Sequence, residues 1–244
     1  MTDFQRVAIV TGGSRGIGRA VAERLAADGQ AVVVGYVGND VEAKAAVAAI
    51  EAKGGNAVAV QADVADEAAV QSLFDTAEQR YGGIDVVVNA AGIMLLSPVA
   101  TVDLDDLDRM HRTNIRGAFV VTREAARRVR PGGAIVTFST SVTRLSFPTY
   151  SGYAASKAAV EAISPILAKE LRGRDVTVNT VAPGPTATAL FLDGKDQETI
   201  DRMAKMNPME RLGTPGDIAE VVSSLAGPAR WINGQTIYVN GGAA

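Results

Sequence analysis

Apolar residues fall in two alternating regimes along the chain. Short runs rich in valine, isoleucine and alanine occur at Val7–Thr11, Ala31–Tyr36, Ala57–Gln61, Asp85–Asn89, Ala134–Ser139, Thr177–Val181 and Thr236–Val239. Several are apolar at nearly every position, the pattern of parallel strands covered on both faces. Between them lie alanine- and charge-rich stretches whose apolar residues step by three and four, such as Ala20, Val21, Arg24 and Leu25, or Val41 to Lys53, which Gly54 and Gly55 close. Strands alternating with helices predict an α/β protein: a single doubly wound Rossmann domain over residues 1–244, with a seven-stranded, mainly parallel sheet and helices on both faces. The least regular stretch runs from Ala182 to Pro208. Beyond a strand's carboxyl end, residues 186–208 are expected to form a substrate-binding loop or lid.

Composition narrows the chemistry. The chain has 244 residues, 47% of them apolar, with a net charge of -3. That balance argues against a nucleic-acid partner, which calls for a basic patch. No cysteine is present, so disulfides, thiol catalysis and thiolate metal sites are excluded. His111 is the only histidine, so no histidine-based metal site or triad is available, and no metal is expected. No apolar run approaches the ~18 residues that span a membrane. The strand-like run at Arg6–Val10 leaves no room for a signal peptide before it. The expectation is a soluble, cytoplasmic protein.

The first strand runs into Thr11-Gly12-Gly13-Ser14-Arg15-Gly16-Ile17-Gly18, a G-x-x-x-G-x-G spacing. Gly12 suits a tight turn from strand to helix, because glycine tolerates positive φ. Gly16 and Gly18 remove side chains where backbone approaches a diphosphate or a helix packs closely on the sheet. The following helix offers free N–H groups and its positive dipole end to phosphates. In dinucleotide folds specific for NAD, a carboxylate at the end of the second strand holds the ribose 2′-hydroxyl. Here that end reads Val34-Gly35-Tyr36-Val37-Gly38-Asn39, and the first acid, Asp40, falls at the next helix start. Arg15 can pair with a 2′-phosphate through its planar fork, with Ser14, Tyr36 and Asn39 as further donors. NADP(H) is therefore the favoured cofactor and NAD(H) the lesser alternative.

Thr-Gly-x-x-x-Gly-Ile-Gly resembles the glycine motif of the short-chain dehydrogenase/reductase family. Further motifs follow in the family's order: Asn89-Ala90-Ala91-Gly92, Asn114, Tyr153-x-x-x-Lys157, Pro183-Gly184 with Thr186 and Thr188, Arg211-x-Gly213-x-Pro215, and Asn240-Gly241-Gly242. Asp63 and Val64 resemble the family's adenine-recognition pair; a helix cap is the plain alternative for Asp63. The resemblance spans nearly the whole chain. It implies reversible hydride transfer between nicotinamide and a carbonyl or secondary alcohol, with Tyr153 as general acid and base. It also implies that Lys157 binds the nicotinamide ribose, that Asn114 breaks a helix and helps hold a water linked to the lysine, and that Asn89 to Gly92, Pro183, Gly184, Thr186 and Thr188 line the cofactor.

Tyr153 and Lys157 are four apart in a helical stretch and share a face. A lysine ammonium ~4 Å from a phenol, in an effective dielectric of ~20, favours phenolate by roughly 4 kcal/mol, which lowers the pKa by about three. A hydroxyl should stand beside the tyrosine. The candidates are Ser141 and Thr140. The family's spacing of 13 residues points to Thr140, while serine is the family's residue and makes Ser141 the first choice. A 3-oxoacyl carrier-protein reductase is one sub-reading, and ketone, sugar or polyol substrates stay equally open. The cluster Arg127, Arg128 and Arg130 reads as structural, with docking of an acidic carrier protein as an alternative. Trp231 reads as core or subunit interface, and His111 as helix surface. The resemblance also implies a homotetramer through Asp103–Arg130 and Tyr153–Arg172, with the last strand at a second interface. Rivals from other classes are a non-catalytic NADP-binding sensor, and an epimerase or dehydratase using the same Tyr–Lys pair.

Overall fold

The computed structural model describes residues 5–244 of the chain; residues 1–4 of the expected domain lie outside it. Seven strands, β1 (Val7–Thr11), β2 (Ala31–Tyr36), β3 (Ala57–Gln61), β4 (Val86–Asn89), β5 (Ala134–Phe138), β6 (Thr177–Pro183) and β7 (Thr236–Val239), form one sheet. Their order is β3-β2-β1-β4-β5-β6-β7 and every pairing is parallel. The doubly wound architecture expected from the alternation is thus the one found. Strand limits move by one or two residues only: β4 begins at Val86, β5 stops at Phe138, and β6 runs on to Pro183.

The all-apolar strands follow from the two layers of helices. Val7 and Ile9 of β1 join one core with Leu73 and Phe74 of α3 (Glu67–Tyr81), Val121 of α5 (Gly117–Arg128) and Leu167 of α7 (Ser151–Glu170). Ala8 and Val10, facing the other way, join a second core with Val21 and Leu25 of α1 (Gly16–Ala27), Ile50 of α2 (Asp40–Glu51) and Leu225 of α10 (Pro215–Ala226). A polar residue at either parity would lose its water with no partner to replace it. Each fully buried valine or leucine contributes about 1.5–3 kcal/mol.

The order in which strands are added reverses at β1 and β4, which sit side by side and parallel. In such sheets the ligand crevice opens at the strands' carboxyl ends at this point. Thr11 and Asn89 are the last residues of the two strands. The Thr11 hydroxyl donates to Asn89 Oδ1 at 2.6 Å, so the floor of the crevice is fixed.

The stretch from Ala182 to Pro208 is more ordered than its composition suggests. It holds the end of β6 and two helices, α8 (Ala189–Leu192) and α9 (Gln197–Ala204). Side-chain caps explain both: Thr188 accepts from the Phe191 N–H, and Asp196 from the Thr199 N–H.

Candidate active site

The glycine turn after β1 is built as a cradle. Gly12 has φ of +64°, and a Cβ there would lie 2.9 Å from the backbone of Ala91. Gly18 serves the chain itself, since its Cβ would meet the Gly12 carbonyl oxygen at 2.2 Å. Gly16, with φ of +55°, faces only the Thr188 methyl, at 3.5 Å, leaving its surface open. Helices α2, α3, α9 and α10 each have an N-cap side chain (Asn39, Asp66, Asp196 and Thr214) accepting a first-turn N–H. The N-cap of α1 is Arg15, which cannot accept, and no acid lies in the first turn. The positive end of α1 is thus left for an external anion. An open glycine face beside uncapped helix donors fits the diphosphate of a dinucleotide.

The 2′-phosphate candidates divide. Arg15 is exposed and forms no ion pair among the described residues. Ser14 is buried beside it. The Tyr36 hydroxyl is already engaged, donating to Asp40 Oδ1 at 2.8 Å, whereas Asn39 caps α2 through Oδ1 alone and its amide N–H groups have no partner among the described residues. Asp40 is the first residue of α2, paired with Lys44 at 2.7 Å, so its charge is balanced. Asp63 accepts from the Arg112 guanidinium at 2.7 Å and from the Ala65 N–H at 2.9 Å, while Val64 is buried against Gly117. Local pairs therefore hold Asp63, and it does not cap a helix; Asp66 caps α3.

At the reacting end, α7 carries Tyr153 and Lys157, both buried. Lys157 Nζ donates to the Phe138 carbonyl at 2.9 Å and lies 5.9 Å from the centre of the Tyr153 ring. The sequence expectation of a phenol made acidic by its lysine is not met here. Burial pushes Tyr153 up to about 12, with Tyr150 adding to the rise and the Thr140 hydroxyl opposing it. Burial pushes Lys157 down to about 8. The physical reason is that the ammonium is directed at a carbonyl on β5, and desolvation outweighs its attraction for the phenolate.

The two hydroxyl candidates separate clearly. The Thr140 hydroxyl is the one near enough to Tyr153 to stabilise its phenolate. Ser141, the first choice from sequence, is turned to the sheet: its hydroxyl donates to the Ala182 carbonyl at 3.1 Å and accepts from Asn240 at 3.1 Å. Ser139 donates to Glu161 at 2.6 Å, and Thr143 reaches the same carboxylate oxygen at 2.9 Å. Glu161 thus grips the chain on either side of Thr140. Sequence reasoning passed over it, although it lies one helical turn beyond Lys157.

Asn114 stands in a π-helical turn, Arg112–Arg116, between α4 (Leu104–His111) and α5. Its amide nitrogen donates to the Ile93 carbonyl at 2.9 Å and to the Ser156 hydroxyl at 3.0 Å, and its oxygen accepts from the Ile93 N–H at 2.9 Å. The helix break expected of this residue is present. A Cβ on Gly92 would lie 3.2 Å from Asn114 Oδ1 and 3.3 Å from Lys157 Nζ, so these three residues meet.

Thr140 and Tyr153 open into a cleft that continues to Ile17, Gly184 and Thr188 beside the glycine cradle. Leu190, Phe191 and Met203, from α8 and α9, form its other wall. Met94, Phe147 and Tyr150 complete it and were not singled out from sequence, because an apolar wall has no motif. Thr186 donates to the Gly184 carbonyl at 2.9 Å and pairs with Gly213 as an isolated bridge.

The arginine cluster fits its structural reading, while two other peripheral residues stand differently from expectation. The basic cluster is neutralised: Arg128 pairs with Asp75 and Glu78, Arg127 with Glu124, and Arg130 with Asp85. Trp231 is fully exposed, which removes the core reading and leaves the subunit-interface one. His111 is half-buried, its Nε2 without a partner among the described residues. Among the described residues no helix is long and apolar enough to cross a membrane, and no cluster of potential metal ligands occurs.

Residues 12–244 match a family described as Enoyl-(Acyl carrier protein) reductase. A short-chain type dehydrogenase/reductase of Picea abies is 44% identical over 248 residues, 97% of this chain and 92% of the relative. NADPH-dependent aldehyde reductase 2, chloroplastic, of Arabidopsis thaliana is 44% identical over 253 residues, 97% of this chain and 93% of the relative. Among solved structures, a short chain dehydrogenase from Burkholderia cenocepacia J2315 in complex with NADP is 40% identical, with a TM-score of 0.92 over 98% of each chain.

Proposed function

Because the chain belongs to the short-chain dehydrogenase/reductase family, we propose that it is an NADP(H)-dependent oxidoreductase interconverting a carbonyl group and an alcohol. The dinucleotide, when bound, supplies or accepts the hydride. Tyr153 gives its phenolic proton to the carbonyl oxygen in reduction and takes it back in oxidation. Thr140 holds that oxygen with its hydroxyl and steadies the phenolate left behind. Lys157 holds the nicotinamide ribose and returns a proton towards Tyr153, with Asn114 and Gly92 keeping its surroundings open. The N-terminus of α1 and Gly16 hold the diphosphate, and Pro183, Gly184 and Thr188 border the nicotinamide.

The observation that carries this reading is that Tyr153 and Thr140 share one cleft with Ile17 of the glycine turn and with Gly184 and Thr188. Choice of NADP(H) over NAD(H) rests on the unpaired Arg15 and on an Asp40 already balanced by Lys44. Relatives named as NADPH-dependent reductases support it. The segment 186–208, through Leu190, Phe191 and Met203, acts as the wall that closes over substrate. Assembly as a homotetramer belongs to the same reading: Phe119 of α5 and Ile166 of α7 are each 57% exposed on the helices expected to pair. The test is to mix the protein with NADPH and a panel of aldehydes and ketones and follow nicotinamide absorbance. Turnover supports the reading; tight NADPH binding without any turnover favours a non-catalytic sensor.

A further inference from the structure

The cleft beside Tyr153 contains a selection rule, resting on the reading above. Among the described residues, no aspartate, glutamate, lysine, arginine or histidine lines it. Its walls are side chains such as Met94, Leu145, Phe147, Tyr150, Phe191 and Met203. Phe147, Tyr150 and Tyr153 stack edge to face in sequence, with ring centres 5.8 and 6.4 Å apart. With planes 64° and 66° apart they offer the cleft both ring faces and ring edges, either of which can meet an aromatic body.

The polar groups in the wall are mostly consumed by the protein. Ser139 donates to Glu161, Ser141 to the Ala182 carbonyl, and Thr186 to the Gly184 carbonyl. The exceptions are the Thr140–Tyr153 pair and the Tyr150 hydroxyl, which has no partner among the described residues. The nearest cations are also committed. Lys157 is held on the Phe138 carbonyl, Arg144 lies 3.9 Å over the Tyr238 ring, and Lys195 donates to the Phe191 carbonyl behind the wall. The site therefore provides hydrogen bonds for one carbonyl oxygen, with a single further hydroxyl at Tyr150, and otherwise asks for apolar surface. A carboxylate or phosphate entering it loses its water and finds no charge in return.

We propose that the cleft selects uncharged carbonyl compounds with an apolar, aromatic-sized body and excludes carboxylate- and phosphate-bearing ones. The probes are 4-methylbenzaldehyde and 4-formylbenzoate, matched in shape and differing in charge. With NADPH, the neutral aldehyde is expected to have a kcat/KM about 100-fold higher, the scale set by leaving a charge without a partner. Leu190→Arg, which places a cation in the wall, is expected to raise kcat/KM for 4-formylbenzoate about tenfold. Equal rates for the two aldehydes, or a preference for the anion, would overturn the proposal. Calorimetry separates this from the proposed function: 4-methylbenzyl alcohol and 4-(hydroxymethyl)benzoate are titrated into the Tyr153→Phe protein saturated with NADPH, whose reduced ring carries no charge. Tighter binding of the neutral alcohol supports the selection rule even when neither aldehyde turns over. Equal or tighter binding of the anion, or binding of neither, counts against it.

Discussion

Lys157 Nζ stands 5.9 Å from the centre of the Tyr153 ring and donates its 2.9 Å hydrogen bond to the Phe138 carbonyl instead. Burial then moves the two groups in opposite directions, Tyr153 up to about 12 and Lys157 down to about 8. Both shifts favour the neutral side chain. The phenol thus keeps its proton through neutral pH, as a donor in reduction must, and the lysine loses its charge within reach of ordinary buffers. Reduction, which draws a proton towards the phenol, should be level below pH 8 and decline as pH rises through it; oxidation should rise over the same range. The pH profile of kcat/KM in the two directions measures this, and Lys157→Met should remove the inflection from whatever activity it retains.

The same burial has a stability consequence. A lysine whose folded pKa lies near 8, below its ordinary 10.5, binds its proton less well folded than unfolded. The resulting destabilisation is complete below pH 8 and fades as pH rises from 8 to 10.5. Lys157→Met, apolar and similar in length, is expected to stabilise the fold at pH 7 by about 2 kcal/mol after loss of the Phe138 hydrogen bond. Urea unfolding at pH 7 and pH 10 checks it, the gain being smaller at the higher pH.

Arg15 bears the choice of dinucleotide. Charge-assisted hydrogen bonds of the kind a guanidinium makes with phosphate contribute about 1.5–3 kcal/mol. Arg15→Ala should lower kcat/KM for NADPH by about 10- to 100-fold and leave the NADH value nearly unchanged. Steady-state kinetics with both cofactors decides it.

Thr140 and Ser141 make a paired test. Thr140→Ala removes the hydroxyl beside Tyr153 and should lower kcat about 100-fold or more, the scale seen on losing one donor to a developing charge. Ser141→Ala leaves the Asn240 amide and Ala182 carbonyl short of a partner, so it should lower thermal stability while kcat falls much less.

Much of this was readable in the chain. Strands with no polar position, such as Ala31–Tyr36, require cover on both faces, so periodicity alone placed the sheet and its helices. The glycine turn could be placed because Gly12 needs a positive φ that other residues avoid. What sequence could not supply was side-chain direction at close range. Thr140 and Ser141 are neighbours with the same chemistry, and only the turn after β5, held by Glu161 through Ser139 and Thr143, sends one to Tyr153 and the other to the sheet. Nor could spacing reveal that Lys157, on α7, points to a carbonyl at the end of β5. The order within 182–208 was hidden because α8 and α9 are short and rest on caps by Thr188 and Asp196, not on long apolar periods. The structural role of the arginines at 127, 128 and 130 could be expected from sequence, but not their partners, because Asp75, Glu78 and Asp85 lie on distant segments.

The central claim is that the Tyr153 phenol is the proton donor to substrate. Tyr153→Phe keeps the ring and its edge-to-face contact with Tyr150 while deleting only the hydroxyl. Measured with NADPH and a turned-over aldehyde, kcat/KM should fall about 1,000-fold, within the range for general acid catalysis, with the dissociation constant for NADPH within a few-fold of the parent protein. Full activity in Tyr153→Phe, with cofactor binding intact, would contradict the account.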